Sequence, residues 1–123
     1  MVSVYKGEVI GDGFRFQKVL FESWPNDHVP ALIYLPDLDP IQHGHWPGIL
    51  FACGHSNNGK AYIPYQKSCA LLAQNGFVVL NYDPISQGER IQLPEASRHG
   101  TTTHTLLNIG ARLVGRSIVW YQA

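Results

Sequence analysis

The stretch that decides the fold reads PGILFACGHSNNGK at residues 47–60, AYIPYQKSCALLAQNG at 61–76 and FVVLNYD at 77–83. The runs ILFAC and FVVL within it are continuously apolar, which is typical of strands covered on both faces of a sheet. The middle piece has helical spacing, so the whole stretch predicts a βαβ unit with parallel strands. Gly54-His55-Ser56 then follow the carboxyl end of the first strand, where open α/β sheets bind ligands.

The helix of this unit has recognisable ends in the sequence. Pro64 falls near its first turn, where the missing N–H costs no hydrogen bond. Tyr65, Cys69 and Leu72 are spaced at i, i+4 and i+7, so they form one apolar face. Gly76 stands where a residue in the left-handed region commonly ends a helix.

Two further strands are predicted upstream, at Phe14–Glu22 and Val29–Leu35, because both runs are rich in residues that favour strands. Asn26-Asp27 between them suits a tight turn and therefore an antiparallel hairpin. The predicted fold class is α/β, with a mixed sheet of about four strands and two helices. The hairpin comes first and the βαβ unit follows it.

The second helix follows residues 83–100, a long loop of the kind that is usually functional or poorly ordered. Its apolar face consists of Leu106, Leu107, Ile109, Leu113, Val114, Ile118 and Tyr121. With no helix-ending residue in the last four positions, the pattern predicts that the helix includes Ser117 and runs to Ala123. The chain then looks cut within this helix.

Composition excludes several classes of protein. A single domain over residues 1–123, with 45% apolar and 15% charged residues, is globular and not disordered. A formal net charge of zero gives no basis for a nucleic acid or an anionic membrane as partner. No apolar run reaches the roughly 18 residues of a membrane span, and the N-terminus lacks the regions of a signal peptide. We expect a cytoplasmic protein, or one exported with a signal absent from this chain.

No metal or cofactor is expected either. Cys53 and Cys69 form no zinc-site spacing and are interpreted as buried thiols. His43 and His45 are the only close pair of histidines, and they lie in a connecting loop. Lys60 ends a polar nest without the spacing of a nucleotide-binding P-loop, and no dinucleotide-binding glycine motif follows a strand.

The order of these elements and three phrases resemble the N-terminal half of an α/β-hydrolase. The amino-acid sequence of these segments is most similar to the acetyl xylan esterase-like and dienelactone hydrolase-like branch. The phrases are PGILFACGHSNNGK at 47–60, LAQNGFVVLNYDPISQGER at 72–90 and HGTTTHTLLNIGARLVGRSIVWYQA at 99–123. The resemblance covers nearly the whole chain from about Phe14. It implies an esterase in which a serine attacks an ester carbonyl and backbone N–H groups hold the oxyanion.

The resemblance places Gly54, His55 and Ser56 in the loop that supplies oxyanion or substrate contacts. The alternative interpretation is that these residues form an ordinary strand-to-helix turn, in which Ser56 and Asn57 act as caps. Further loop contacts are expected from Asn57, Asn58, Lys60, Gln87 and Arg90. The match assigns Asp83 a structural role in its turn, accepting N–H bonds. Glu89 and Arg90 are most simply a solvated pair or loop-ordering contacts.

None of the catalytic triad is expected in this chain. A G-x-S-x-G nucleophile motif is absent, and the nearest string, at residues 115–119, ends in valine. The resemblance puts nucleophile, acid and base later than these residues. We therefore expect an incomplete hydrolase domain, truncated before the nucleophile and inactive alone, whose full-length enzyme acts on a small-molecule or carbohydrate ester.

The alternative function is a non-catalytic α/β module that binds a ligand or a protein. In the hydrolase sheet, Ile49–Cys53 lies between two strands, one of which this chain lacks. Without that strand it becomes an exposed apolar edge, which pairs with whatever is available. Self-association through this edge is therefore expected, as is completion of the sheet by a partner.

Overall fold

The structure is a computed structural model that describes residues 3–38, 44–93 and 100–118. Its strands are β1 (Ser3–Ile10), β2 (Phe14–Trp24), β3 (Asp27–Pro36), β4 (Gly48–Ala52) and β5 (Val78–Tyr82). Its helices are α1 (Ile63–Gln74) and α2 (Gly100–Leu113), with a short 3-10 turn at Gly59–Ala61. The predictions that concern His43, Tyr121 and Ala123 fall outside the described residues.

The sheet is mixed, with strand order β1-β2-β3-β5-β4. The predicted hairpin is confirmed as the antiparallel pair β2 and β3, and Asn26 in its turn has a φ of 66°. The predicted βαβ unit is also confirmed, because β4 and β5 are parallel neighbours. Strand β5 also pairs antiparallel with β3 and thereby joins the two units in one sheet.

The described residues form five strands, one more than the four or so expected, because the sequence pattern does not predict β1. Its sequence, SVYKGEVI, carries Gly7 at a φ of 118°, and its register with β2 shifts between Tyr5 and Glu8. Glycine inside a strand often marks such a bulge and weakens the sequence signal. Val4, Val9 and Ile10 remain exposed, so burial leaves no clear alternation to read.

The core lies between the sheet and α1. Leu32, Tyr34, Cys69, Ala73 and Val79 form its buried centre. Phe14 and Phe16 of β2 pack against the Tyr34 ring at centroid distances of 6.1 and 5.3 Å. The predicted helix face therefore does reach the core, with Cys69 completely buried.

Helix α1 ends as its glycine predicts. Gly76 has a φ of 89°, its N–H donates to the Ala73 carbonyl at 3.0 Å, and the Phe77 N–H donates to the Leu72 carbonyl at 3.2 Å. These two bonds define a Schellman motif, which satisfies carbonyls that the helix end leaves open. The turn delivers the chain directly into β5.

Helix α2 ends at Leu113, so the expected continuation of the helix through Ser117 is wrong, and the part expected to reach Ala123 lies outside the described residues. Gly115 has a φ of 73°, and the Arg116 N–H donates to the Ala111 carbonyl at 2.8 Å, which closes a second Schellman-type turn. Ser117 is an exposed residue beyond the helix. The apolar residues after Leu113 suggested continuity, but the glycine between them stops the helix.

Strand β4 lies at one end of the sheet. Ile49 and Phe51 pack towards the core, whereas Leu50 on the other face is 65% exposed. The expectation that this strand is covered on both faces is therefore wrong for the described part of the chain. Among the described residues, its outer edge and its outer face present an apolar surface.

This edge gives a test of self-association. We expect Leu50→Lys to weaken concentration-dependent association of the chain, because a lysine on an edge strand opposes strand pairing. Since Leu50 is largely exposed, the free energy of unfolding should change by less than about 0.5 kcal/mol. Sedimentation velocity over a concentration series measures the association. The control is Leu71→Lys, a 60% exposed leucine on α1; equal association of both variants and the parent chain would refute the role of the edge.

Candidate functional site

A cleft of about 540 Å³ opens at the carboxyl ends of β4 and β5. Its walls come from the segment after β4, the segment after β5, and helix α2 with the turn that follows it. The lining residues are Ala52, Cys53, Gly54, His55, Tyr82, Pro84, Gln87, Arg90, Thr105, Asn108 and Ile118. This is the position at which open α/β sheets bind ligands, and its volume suits a small molecule.

Gly54 stands where the chain leaves β4 and turns along the cleft. A Cβ atom at this position would lie 2.9 Å from the Tyr65 hydroxyl oxygen of α1. The glycine is therefore needed for the close approach of the helix. Tyr65 in turn packs its ring against Phe51 and Tyr62, at centroid distances of 5.8 and 5.0 Å, so the start of the cleft loop is tied to the amino-terminal end of α1.

Ser56 is half-buried, and its polar groups form hydrogen bonds within the chain. Its backbone N–H donates to the Gln87 side-chain oxygen in a short hydrogen bond. Its hydroxyl accepts the Asn58 N–H at 3.2 Å, and its carbonyl accepts the Gly59 N–H at 3.2 Å. The predicted oxyanion loop thus reaches the cleft with Gly54 and His55, while the Ser56 N–H serves a contact within the chain.

Asp83, at the end of β5, is fully buried and makes the densest set of contacts near the cleft. Its carboxylate accepts the Lys60 backbone N–H at 2.7 Å, the Lys60 ammonium at 2.6 Å and the Glu89 N–H at 2.9 Å. A buried carboxylate needs such charge-assisted bonds to offset its lost hydration. The carboxylate therefore joins the segment after β4 to the segment after β5.

Two glycines allow the chain to surround this carboxylate. Gly59 and Gly88 have φ values of 52° and 55°, and a Cβ at either position would meet an Asp83 carboxylate oxygen at 2.1 and 2.4 Å. The Gly88 N–H also donates to the Asn57 carbonyl at 3.3 Å. Glycine at both positions therefore allows the two turns to pack directly against the Asp83 carboxylate.

Arg90 is buried, so the solvated pair is wrong, whereas the alternative expectation of loop-ordering contacts agrees with its bonds. Its guanidinium donates to both carboxylate oxygens of Asp27 at 3.1 Å and to the Asp83 carbonyl at 3.3 Å. It therefore links the loop after β5 to the β2–β3 hairpin, while it also lines the cleft. Glu89, whose side chain is 72% exposed, pairs instead with the Lys60 ammonium at 3.3 Å, a contact that solvent weakens.

The predicted contacts separate into two groups. Gln87 and Arg90 line the cleft together with the glycine–histidine pair. Asn57 and Asn58 are exposed residues of the turn. Lys60 is directed to Asp83 and lines a different cavity, of about 470 Å³, beside β2 and β3. A shared role in ligand contact for all five stays a prediction, as does the structural role of Asp83.

Cys53 and Asn81 are contributors that the sequence did not identify. The Cys53 thiol donates to the Asn81 side-chain oxygen at 2.8 Å, and the Asn81 amide donates to the Lys60 carbonyl at 3.3 Å. Asn81 is completely buried within an apolar strand. A polar residue inside FVVLNYD was the available signal, because buried amides need partners.

The expectation of two buried thiols is confirmed for Cys69, whereas Cys53 is only half-buried, and burial raises the pKa of both. Desolvation raises the pKa of Cys53 to about 11, with a further rise from the Asp83 charge that Lys60 partly offsets. Desolvation likewise raises the pKa of Cys69 to about 12. Both thiols therefore remain protonated near neutral pH and are weak nucleophiles.

Among residues 3–38, 44–93 and 100–118, no group of three or more histidine, cysteine or carboxylate side chains could hold a metal ion. Within the same part of the chain, no helix is long and apolar enough to span a membrane.

The architecture is a mixed α/β fold that resembles part of two solved esterase structures. A solved structure assigned as an acetyl xylan esterase from Bacteroides fragilis matches with a TM-score of 0.75 and 16% identity, over 99% of this chain and 35% of that one. A methylesterase structure matches with a TM-score of 0.67 and 22% identity, over 95% of this chain and 27% of that one. The chain thus spans between about a quarter and about a third of the length of these structures, and identity this low shows the fold alone. No family model matches the chain, and no curated protein does.

The crowding around Asp83 can be measured. We expect Gly88→Ala to lower the free energy of unfolding by at least about 1 kcal/mol more than Gly115→Ala does. Both glycines are left-handed, with φ of 55° and 73°, but only at Gly88 would the new methyl group meet the buried carboxylate. Each change therefore carries the roughly 1–2 kcal/mol cost of a left-handed alanine. Urea unfolding measures the difference, and equal losses would show that the carboxylate is not packed against Gly88.

The thiol chemistry gives a second test. With a pKa of about 11, about 0.1% of Cys53 is thiolate at pH 8. Its alkylation by iodoacetamide should therefore be slow and should rise about tenfold per pH unit beyond pH 9. The pKa of each thiol is higher in the folded chain than in the unfolded chain. The contribution of the protonated thiols to the free energy of unfolding is therefore fully present below about pH 8.5, and it falls as pH rises towards 11. Peptide mass spectrometry follows the reaction, with the denatured chain as control; a native rate that levels off near pH 9 would contradict the raised pKa.

Proposed function

We propose that this chain is the N-terminal portion of a serine esterase with the α/β-hydrolase fold. The observation that carries the proposal is the position of Gly54 and His55, which border a cleft at the carboxyl end of β4. The fold likeness to two esterase structures supports the same conclusion. In such an enzyme, this loop supplies backbone N–H groups to the oxygen that becomes negative during acyl transfer.

The chain contributes the binding wall of the site and not the attacking group. No G-x-S-x-G motif occurs in its 123 residues, and the raised pKa of Cys53 makes that thiol a poor substitute nucleophile. In this proposal, serine, histidine and acid come from residues outside this sequence. The segments around the buried Asp83 hold the wall in place before those groups act.

The proposed substrate is a carboxylic or acetyl ester, including esters on carbohydrate. No carboxylate lies among the described residues that line the cleft, and its side-chain donors include the Asn108 amide, the hydroxyls of Tyr82 and Thr105, and the Arg90 guanidinium. Hydrogen-bond donors of this kind, without an acidic group beside them, suit a hydroxyl-rich ligand. The apolar surfaces of Pro84 and Ile118 offer contact for an acyl group or a sugar face.

We expect the 123-residue chain to hydrolyse p-nitrophenyl acetate no faster than buffer, because it lacks a nucleophile motif. A longer product of the same reading frame that contains G-x-S-x-G should hydrolyse this ester and lose the activity to a serine-directed phosphonate. Mutation of that serine to alanine is the matched control. Phosphonate-sensitive turnover by the 123-residue chain would contradict the proposal, as would a longer product without esterase activity.

The exposed edge of β4 favours a second candidate, a non-catalytic binding module. Leu50 is 65% exposed on this strand, and an unpaired apolar edge can add a strand from a partner. This candidate requires a reading frame that stops at Ala123 and a chain that is cooperative and stable alone. Sequencing beyond that codon separates the two candidates at once.

A further inference from the structure

Gln87 accepts a hydrogen bond from the loop after β4, which the esterase proposal assigns to ligand binding. The side-chain oxygen of Gln87 accepts the Ser56 backbone N–H. The bonded N–H is therefore not available to a ligand. The atom facing an N–H must be the amide oxygen, because the amide nitrogen carries only donors. The orientation of the Gln87 amide is therefore fixed by the bond itself.

The burial of Gln87 and its backbone hydrogen bonds hold its side chain against the Ser56 N–H. The side chain is only 2% exposed. Its backbone is held on both sides, since its N–H donates to the Pro84 carbonyl at 3.2 Å and its carbonyl accepts the Arg90 N–H at 2.9 Å. Withdrawing the side chain would cost the half-buried Ser56 N–H its partner and would move a buried amide out of its site, which is unfavourable.

The turn that carries Gln87 is itself constrained. Ser86 has a φ of 65° although it is not glycine, and it is 3% exposed. A left-handed serine is strained and persists only where its surroundings enforce it. Here the Ser86 N–H donates to the Arg90 carbonyl at 2.9 Å, which closes the turn and aims the next residue at the loop after β4.

We propose that Gln87 is a positioning residue of the cleft, which holds the Gly54–Ser56 segment through the Ser56 N–H and removes that N–H from ligand binding. This inference rests on the proposed esterase function for its catalytic consequence. Its structural content is independent of that function. It changes the role predicted for Ser56 from a ligand contact to an anchor of the oxyanion loop.

The anchor can be detected directly in the unmodified chain. We expect a through-hydrogen-bond NMR coupling between the Ser56 amide nitrogen and the Gln87 side-chain carbonyl carbon. We also expect the Ser56 amide to exchange with solvent at least tenfold more slowly than in Gln87→Met, which keeps the length and removes the acceptor. Gln87→Glu keeps an acceptor oxygen and should restore the protection. Gln74→Met, on the exposed end of α1, is the control. A missing coupling together with an unprotected Ser56 amide would overturn the anchor.

The catalytic consequence is measured in the longer product that hydrolyses esters. There Gln87→Met should lower kcat by about 10- to 100-fold, as a displaced catalytic loop does, with a smaller change in KM, and Gln87→Glu should recover most of the loss. Unchanged kcat in Gln87→Met would refute the positioning role. If the longer product hydrolyses no ester, the esterase proposal fails, and the NMR result still decides whether the anchor exists.

Discussion

The contact between the Asp83 carboxylate and Lys60 is the constraint on which the cleft depends. The carboxylate is completely buried, and the lysine side chain is 8% exposed. Such a pair adds little stability compared with apolar residues of the same size, but removal of one partner costs about 3–5 kcal/mol because it leaves a buried charge. Its main effect is therefore geometric. The segments after β4 and β5 must both close around one point, and the cleft lies beside the place where they meet.

The βαβ unit was predictable because its signals are local. Apolar runs, helical spacing and Gly76 each describe a few neighbouring residues, and the structure has those elements within one or two positions of the expectation. Strand β1 was missed for the complementary reason, since Gly7 and exposed side chains on both faces erase its alternation. The end of α2 shows a conflict between two local signals, in which Gly115 prevailed over the apolar residues that follow it.

The candidate site was predictable as a region and not as a set of contacts. The carboxyl end of β4 follows from strand order, which brings Gly54 and His55 to the cleft. The destinations of Lys60, Gln87 and Arg90 depend on partners 23, 31 and 63 residues away. No periodicity encodes such distances. The pairing of Ser56 with Gln87 and of Arg90 with Asp27 could be seen only once the sheet was assembled.

These long separations bear on how the protein acquires its cleft during folding. Each contact around Asp83 closes a loop of the chain, and loop closure costs entropy before any contact repays it. The two Lys60–Asp83 contacts enclose α1, so they can form only in a chain whose crossover from β4 to β5 has closed. The hairpin of β2 and β3, built from local contacts, has no such requirement. Order at the Lys60–Asp83 contact therefore depends on the crossover and not on local sequence alone.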